Sequence, residues 1–289
     1  MSRNPRPKGI VAGWLVALCL TVACESWLAH AAATNALSAD GLNSSSRAQV
    51  VVVKNPEATR TFKANPAVVR GMVERAVTTL TGQPEIAAAW RTLVSTQDVV
   101  GLKVLSALGP ISGTRPAVAA AVVEGLLAAG VPPTNIVIWD RNLADLRYSG
   151  FPELSERYGV RVEGSVQAGY DDETFYDAPL LGSLAWGDSE FGQRGEGLGR
   201  KSYVSKLVSR QLTKIINIPP LLNHPVAGVS GNLFGLAIGS VDNTWRFETD
   251  AGRLAQAVPE IYALPSLSDR VVLNIVDALL CQYQGSQRA

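Results

Sequence analysis

Apolar residues occur along this chain in two rhythms, short unbroken runs and helical stripes, and their order predicts the fold. Val50-Val51-Val52-Val53-Lys54 is a β-branched run ended by Asn55-Pro56 and predicts a buried strand. Between residues 66 and 80, Val68, Val69, Met72, Val73, Ala76, Val77 and Leu80 fall at helical spacing. The clearest unit spans 98–139. Residues 98–104 predict a strand and Ser112-Gly113 a turn; Thr114 then stands as a helix N-cap, with Arg115 and Pro116 in the first turn. Val118, Val122, Val123, Leu126 and Leu127 form the apolar face of that helix, Gly130 is its C′ residue, and Pro132-Pro133 lie just beyond. Residues 135–139 predict the next strand. Strand, helix and strand in this order make a βαβ unit with a parallel pair. Two more strands are read at 214–218 and 270–276. The expected fold class is therefore α/β, a mainly parallel open sheet with helices on both faces.

The ends of the chain read differently. Residues 1–31 carry Arg3, Arg6 and Lys8, then an apolar stretch over 10–23, then Ala29-His30-Ala31, which is the pattern of a signal peptide. The apolar stretch is shorter than the roughly 20 residues a spanning helix needs, so no membrane span is expected after processing. A lipoprotein is the alternative, because Leu20-Thr21-Val22-Ala23-Cys24 loosely resembles a lipobox and would place a lipid anchor on Cys24. Either way the expected location is exported, periplasmic or extracellular. Residues 32–47 read as a linker and 48–289 as a single α/β domain. Residues 182–200, rich in glycine and charge, read as a long surface loop. Gly195-Glu196-Gly197-Leu198-Gly199 within it follows no strand and lacks the spacing of a phosphate-binding loop.

Charge and cysteine content narrow the chemistry. The 289 residues include 26 Lys+Arg and 25 Asp+Glu, a net of +1, which excludes the basic footprint of a duplex-binding protein. Processing after residue 31 removes three basic residues and one acidic, together with Cys19, Cys24 and His30. Cys281 and His224 alone then remain of their types, too few for an intramolecular disulfide, a usual zinc site or a cysteine-ligated iron–sulfur cluster. No resident metal or cofactor is expected.

In open parallel sheets, ligands sit outside the carboxyl ends of the strands. The residues just after the expected strands are Thr114 and Arg115, Asp140 and Arg141, Asn223 and His224, and Asp277. A helix N-terminus at Thr114 and the Arg115 guanidinium together suit a carboxylate or phosphate. Each residue also has a structural reading. Thr114 serves as a cap, Arg115 braces a loop, Asp140-Arg141 form a local ion pair or cap, and Asp277 caps a helix. His224 is a site residue or a structural histidine. Trp245 and Phe247 are read as core aromatics.

The stretches Val100-Gly101-Leu102-Lys103-Val104, Thr114-Arg115-Pro116-Ala117-Val118, 130–141, His224-Pro225-Val226-Ala227-Gly228-Val229-Ser230-Gly231, Gly239-Ser240 and 273–278 resemble, in order, the bacterial family called domain of unknown function 362. Family members commonly continue with a glycine-rich segment and a further strand–helix portion, so an ending at Ala289 would fit a truncated member. A more distant resemblance is to the nickel-pincer lactate racemase group. It implies that Arg115 of Thr114-Arg115-Pro116 holds a substrate carboxylate and that His224, in a motif shared with Ala227, Gly228, Ser230 and Gly231, is a base. The lysine that tethers the cofactor in that group is Phe234 here, and after the expected processing no second histidine remains for acid–base work on the other face of a carbon. The resemblance therefore implies no nickel cofactor.

The leading expectation is an exported protein that binds a small anionic ligand through Thr114, Arg115, Asp140, Arg141, His224 and Ser230. The rivals are a cofactor-independent enzyme with His224 as general base and a non-catalytic subunit completed by a partner.

Overall fold

The structure, a computed structural model, describes residues 48–178 and 199–282. Residues 1–47, where a signal segment and a linker are expected, and nearly all of the glycine-rich 182–200 stretch lie outside the described residues, as do Cys24 and Gly195 to Leu198. A short hairpin of β1 (Thr59–Arg60) and β2 (Lys63–Ala64) leads into the helix Pro66–Thr81. The framework is a five-stranded sheet made of β3 (Val100–Val104), β4 (Ile136–Asp140), β5 (Arg161–Gly164), β8 (Lys214–Ile218) and β11 (Val271–Asn274). Its order is β11-β8-β3-β4-β5 and every pair is parallel. β6 (Tyr170–Asp177) and β7 (Lys201–Ser205) form a separate antiparallel ribbon. A further sheet joins β9 (Pro220–His224), β10 (Gly228–Val229) and β12 (Asp277–Gln282) in the order β10-β9-β12.

The unbroken apolar runs follow from burial on both faces of a parallel sheet. Val100, Leu102, Val104, Ile136, Ile138, Ile216 and Ile218 point to one side. There they meet Val69, Val73 and Val77 of Pro66–Thr81, Trp90 of Ile86–Arg91, and Val118, Val122 and Leu126 of the helix Pro116–Ala128. Val137, Trp139 and Ile215 point to the other side and pack on Leu207, Leu212, Leu236, Phe247, Leu254 and Ile261. Helices cover both faces, and the α/β class holds. The expected stop of Pro116–Ala128 holds too. Gly130 takes φ +92°, its amide bonds to Leu127 O at 3.0 Å, and the Val131 amide bonds to Leu126 O at 3.1 Å, the reciprocal closure of a left-handed C-terminal cap.

Three expectations fail. Val50–Val53 forms no strand, and Val50 and Val52 are 80% and 71% exposed. A β-branched run becomes a strand only where a neighbouring edge pairs with it, and here none does. Thr114 is not the N-cap of Pro116–Ala128. Arg115 holds that position without a side-chain cap, while Thr114 Oγ1 accepts from Leu105 N (2.9 Å) and donates to Ile218 O (2.6 Å). Asn223 and His224 do not simply follow β8 but end a further strand, β9, whose start is obscured in sequence by Pro219-Pro220.

Candidate functional site

Chain order places the topological switch of the sheet between β3 and β8, since the chain continues from β3 to β4 on one side and from β8 to β11 on the other. This crevice is the usual ligand position in such sheets. Here the protein closes it. Thr114 bridges the ends of β3 and β8, and Arg115 pairs with Asp277 beside it: Nη1 to Oδ1 is 3.0 Å, and the Arg115 amide donates to Oδ2 at 2.9 Å. The other guanidinium nitrogen donates to Ile111 O and Leu280 O at 3.1 and 3.2 Å. Both side chains are buried, Asp277 completely. A guanidinium and the start of a helix do bind a carboxylate, as the residue types suggested, but the carboxylate belongs to Asp277. Thr114 and Arg115 are thereby withdrawn as ligand contacts. Ser230 lies apart from the cleft described below, with its hydroxyl buried and, among the described residues, given no hydrogen-bond partner. It is 1% exposed, and its amide donates to Leu222 O.

Among the described residues, a cleft of about 730 Å³ opens over the ends of β3 and β4, on the second face of the sheet. It brings together three of the expected residues, Asp140, Arg141 and His224. It adds Asn142, Asp145, Thr244, Trp245 and Glu248 as polar or aromatic wall, and Leu105, Val226, Phe234 and Ile238 as apolar wall. At its floor, Asp140 Oδ1 accepts from Lys103 Nζ at 2.8 Å, and Oδ2 accepts from the amide and hydroxyl of Ser106 at 2.6 and 2.7 Å. Lys103 donates further to Val104 O at 2.7 Å. A buried ion pair is tolerable only when hydrogen bonds satisfy it in this way. Gly239 makes room for it, because a Cβ there would stand 2.2 Å from Lys103 Cε and 2.7 Å from Nζ. Arg141 donates to Thr244 Oγ1 at 2.6 Å and lies 3.7 Å from Glu248 Oε1; Asn142 donates to Asp145 Oδ2 at 3.0 Å.

His224 is set by its own turn. After β9 the chain doubles back through Pro225, and the amides of Val226 and Ala227 both donate to Nδ1, at 3.2 and 2.9 Å. A neutral imidazole has one acceptor nitrogen and one N–H, so the proton sits on Nε2. Burial pushes the ring below its ordinary pKa, with the nearby Glu248 carboxylate opposing that shift, so the neutral form prevails at pH 7. The ring also lies 4.4 Å, centroid to centroid, from Phe234 at a 50° tilt. The position at which the racemase resemblance would expect a tethering lysine thus holds a packing partner for His224. As a general base His224 is poorly placed, because its lone pair faces two backbone amides. As a hydrogen-bond donor it is fixed.

Sequence reasoning missed Lys103, Asp145, Trp245 and Glu248. Lys103 carried a signal, a lone charge inside an apolar strand. Trp245 was misread as core and is 60% exposed, whereas Phe247 is fully buried as expected. Among the described residues, no group of three or more His, Cys, Asp or Glu could hold a metal ion, and no helix is long and apolar enough to cross a membrane.

No family model matches the chain, and no curated protein does. Among solved structures, a Thermotoga maritima protein determined by the Northeast Structural Genomics Consortium is similar, with a TM-score of 0.42 and 13% identity over 74% of this chain and 51% of its own length. The chain spans about half the length of that protein.

Proposed function

We propose that this is an exported binding protein for a small organic molecule that offers a carbonyl or singly charged carboxylate oxygen to His224. The observation that carries this reading is the pair of amides on Nδ1, which leaves Nε2–H as a fixed neutral donor in a residue lining the cleft. Leu105, Val226, Phe234 and Ile238 supply the apolar wall that such pockets use for affinity. A dianionic phosphate fits less well, since Asp140, Asp145 and Glu248 outnumber the nearby cations Lys103 and Arg141. The resemblance to domain of unknown function 362 belongs to the same proposal and assigns no reaction. If the site is catalytic, His224 polarises a carbonyl as a neutral donor instead of removing a proton, because its basic nitrogen is occupied.

The test is calorimetry of the protein with short monocarboxylates, 2-oxo acids and inorganic phosphate, repeated with His224→Asn. Asn keeps an acceptor for the turn amides, as in an Asx-turn, but lacks the outer N–H. Monocarboxylates or oxo acids should bind more tightly than phosphate, and His224→Asn should weaken them about 2- to 13-fold, the value of one hydrogen bond of about 0.5–1.5 kcal/mol. Tighter binding of phosphate, or affinities untouched by His224→Asn, would overturn the reading.

A further inference from the structure

Trp245 opens a one-turn helix, Trp245–Glu248, whose next two residues are anchors. Arg246 is 2% exposed and donates to Ser202 Oγ at 2.9 Å and to Ala178 O at 3.1 Å. Phe247 is fully buried and meets Tyr176 edge-on at 6.4 Å. Thr244, just before, is also fully buried and takes the hydrogen bond from Arg141. With both flanks fixed, the Trp245 indole is held at the cleft, 60% exposed, although it is the side chain with most apolar area to gain from burial. The polar residues that line the same cleft are of both kinds. Asp145 and Glu248 are acceptors, while Arg141 and the His224 Nε2–H are donors.

From this arrangement we infer that the ligand is a hydroxylated ring, a sugar or sugar acid, whose C–H face lies on Trp245. This rests on the reading of the cleft given above and names the class of molecule. A hydroxyl donates and accepts at once, so adjacent hydroxyls suit a wall that carries both carboxylates and N–H groups. A purely apolar ring would strip water from Asp145 and Glu248 without replacing its hydrogen bonds. The cleft volume of about 730 Å³ lies within the usual range for small-ligand sites and accommodates one or two such rings. A hexuronic acid combines the ring with the single carboxylate that His224 would take.

Saturation-transfer NMR and tryptophan fluorescence on the protein test the inference with glucuronate, galacturonate, glucose, lactate and cyclohexanecarboxylate, alongside Trp245→Ala, Trp245→Phe and His224→Asn. A uronate should bind at least about tenfold more tightly than lactate or cyclohexanecarboxylate and receive saturation at its ring C–H protons. Trp245→Ala should lose about tenfold in uronate affinity, the size expected for one aromatic face contact of about 1.4 kcal/mol, and Trp245→Phe should recover part of it. Lactate affinity should not change with Trp245. If lactate and cyclohexanecarboxylate bind in a His224-dependent way while the sugars do not, the ring inference fails and the reading of the cleft stands. If no compound depends on either His224 or Trp245, both fail. Uronate binding that Trp245→Ala leaves unchanged also overturns the inference.

Discussion

Replacing Arg115 with alanine separates a structural ion pair from a ligand site. The guanidinium makes one bond to Asp277 and two to backbone carbonyls, and the partner carboxylate has no solvent exposure. Truncation leaves Asp277 with the Arg115 and Leu279 amides and no cation. Removing one member of a buried pair costs about 3–5 kcal/mol, a large part of the roughly 5–15 kcal/mol that holds a domain together. Urea denaturation should therefore show a markedly lower midpoint with an unchanged slope. Asp277→Ala should cost a similar amount by stranding the guanidinium. The double replacement Arg115→Met with Asp277→Leu should recover most of the loss, since apolar isosteres of buried pairs are often neutral or stabilising. Affinity for a uronate or monocarboxylate at the cleft should be the same in the folded double variant as in the parent. A loss below about 1 kcal/mol in Arg115→Ala, or additive losses in the double variant, would refute the ion-pair argument. Loss of ligand affinity with stability intact would return Arg115 to the ligand site.

The His224 turn makes stability depend on pH in a defined direction. Burial depresses the folded imidazole's pKa, so between that value and the ordinary one near 6.5 the unfolded chain binds more protons. The contribution is complete above about pH 6.5 and is lost as pH falls through the folded value, where a proton on Nδ1 would confront the Val226 and Ala227 amides. Stability profiles of the parent and His224→Asn should diverge in that window, and imidazole 15N shifts should report the Nε2–H tautomer; parallel profiles or an Nδ1–H signal would contradict it. Two glycines should respond oppositely to alanine. At Gly125 a Cβ would stand 2.0 Å from Trp90 Nε1, so overpacking of about 1–3 kcal/mol should exceed the gain in helix propensity. At Gly71, on the helix Pro66–Thr81, nothing lies within 4 Å, and Gly71→Ala should stabilise by up to about 1 kcal/mol in thermal denaturation.

Local pattern alone determined most of the framework. The helical spacing of Val69, Val73 and Val77, the apolar runs at 100–104, 136–140 and 214–218, and the Gly130 stop depend on near neighbours and on burial from both sides, which a sequence displays directly. The run at 50–53 shows the limit of that rule, because a strand also needs an edge to pair with, and pairing is a property of the assembled sheet. The candidate site divides in the same way. Sequence placed Asp140, Arg141 and His224 near the carboxyl ends of strands, and all three line one cleft. It also identified Arg115 as a residue that would hold a carboxylate. Only the tertiary structure decided that the carboxylate is Asp277, which lies 162 positions away along the chain, and that the vacant space opens instead over β3 and β4. Likewise, the proton position on His224 and the outward turn of Trp245 follow from a doubled-back turn and from the burial of Arg246 and Phe247. Residue type fixes which bonds a side chain can make, and packing fixes whether its partner comes from the protein or from outside it.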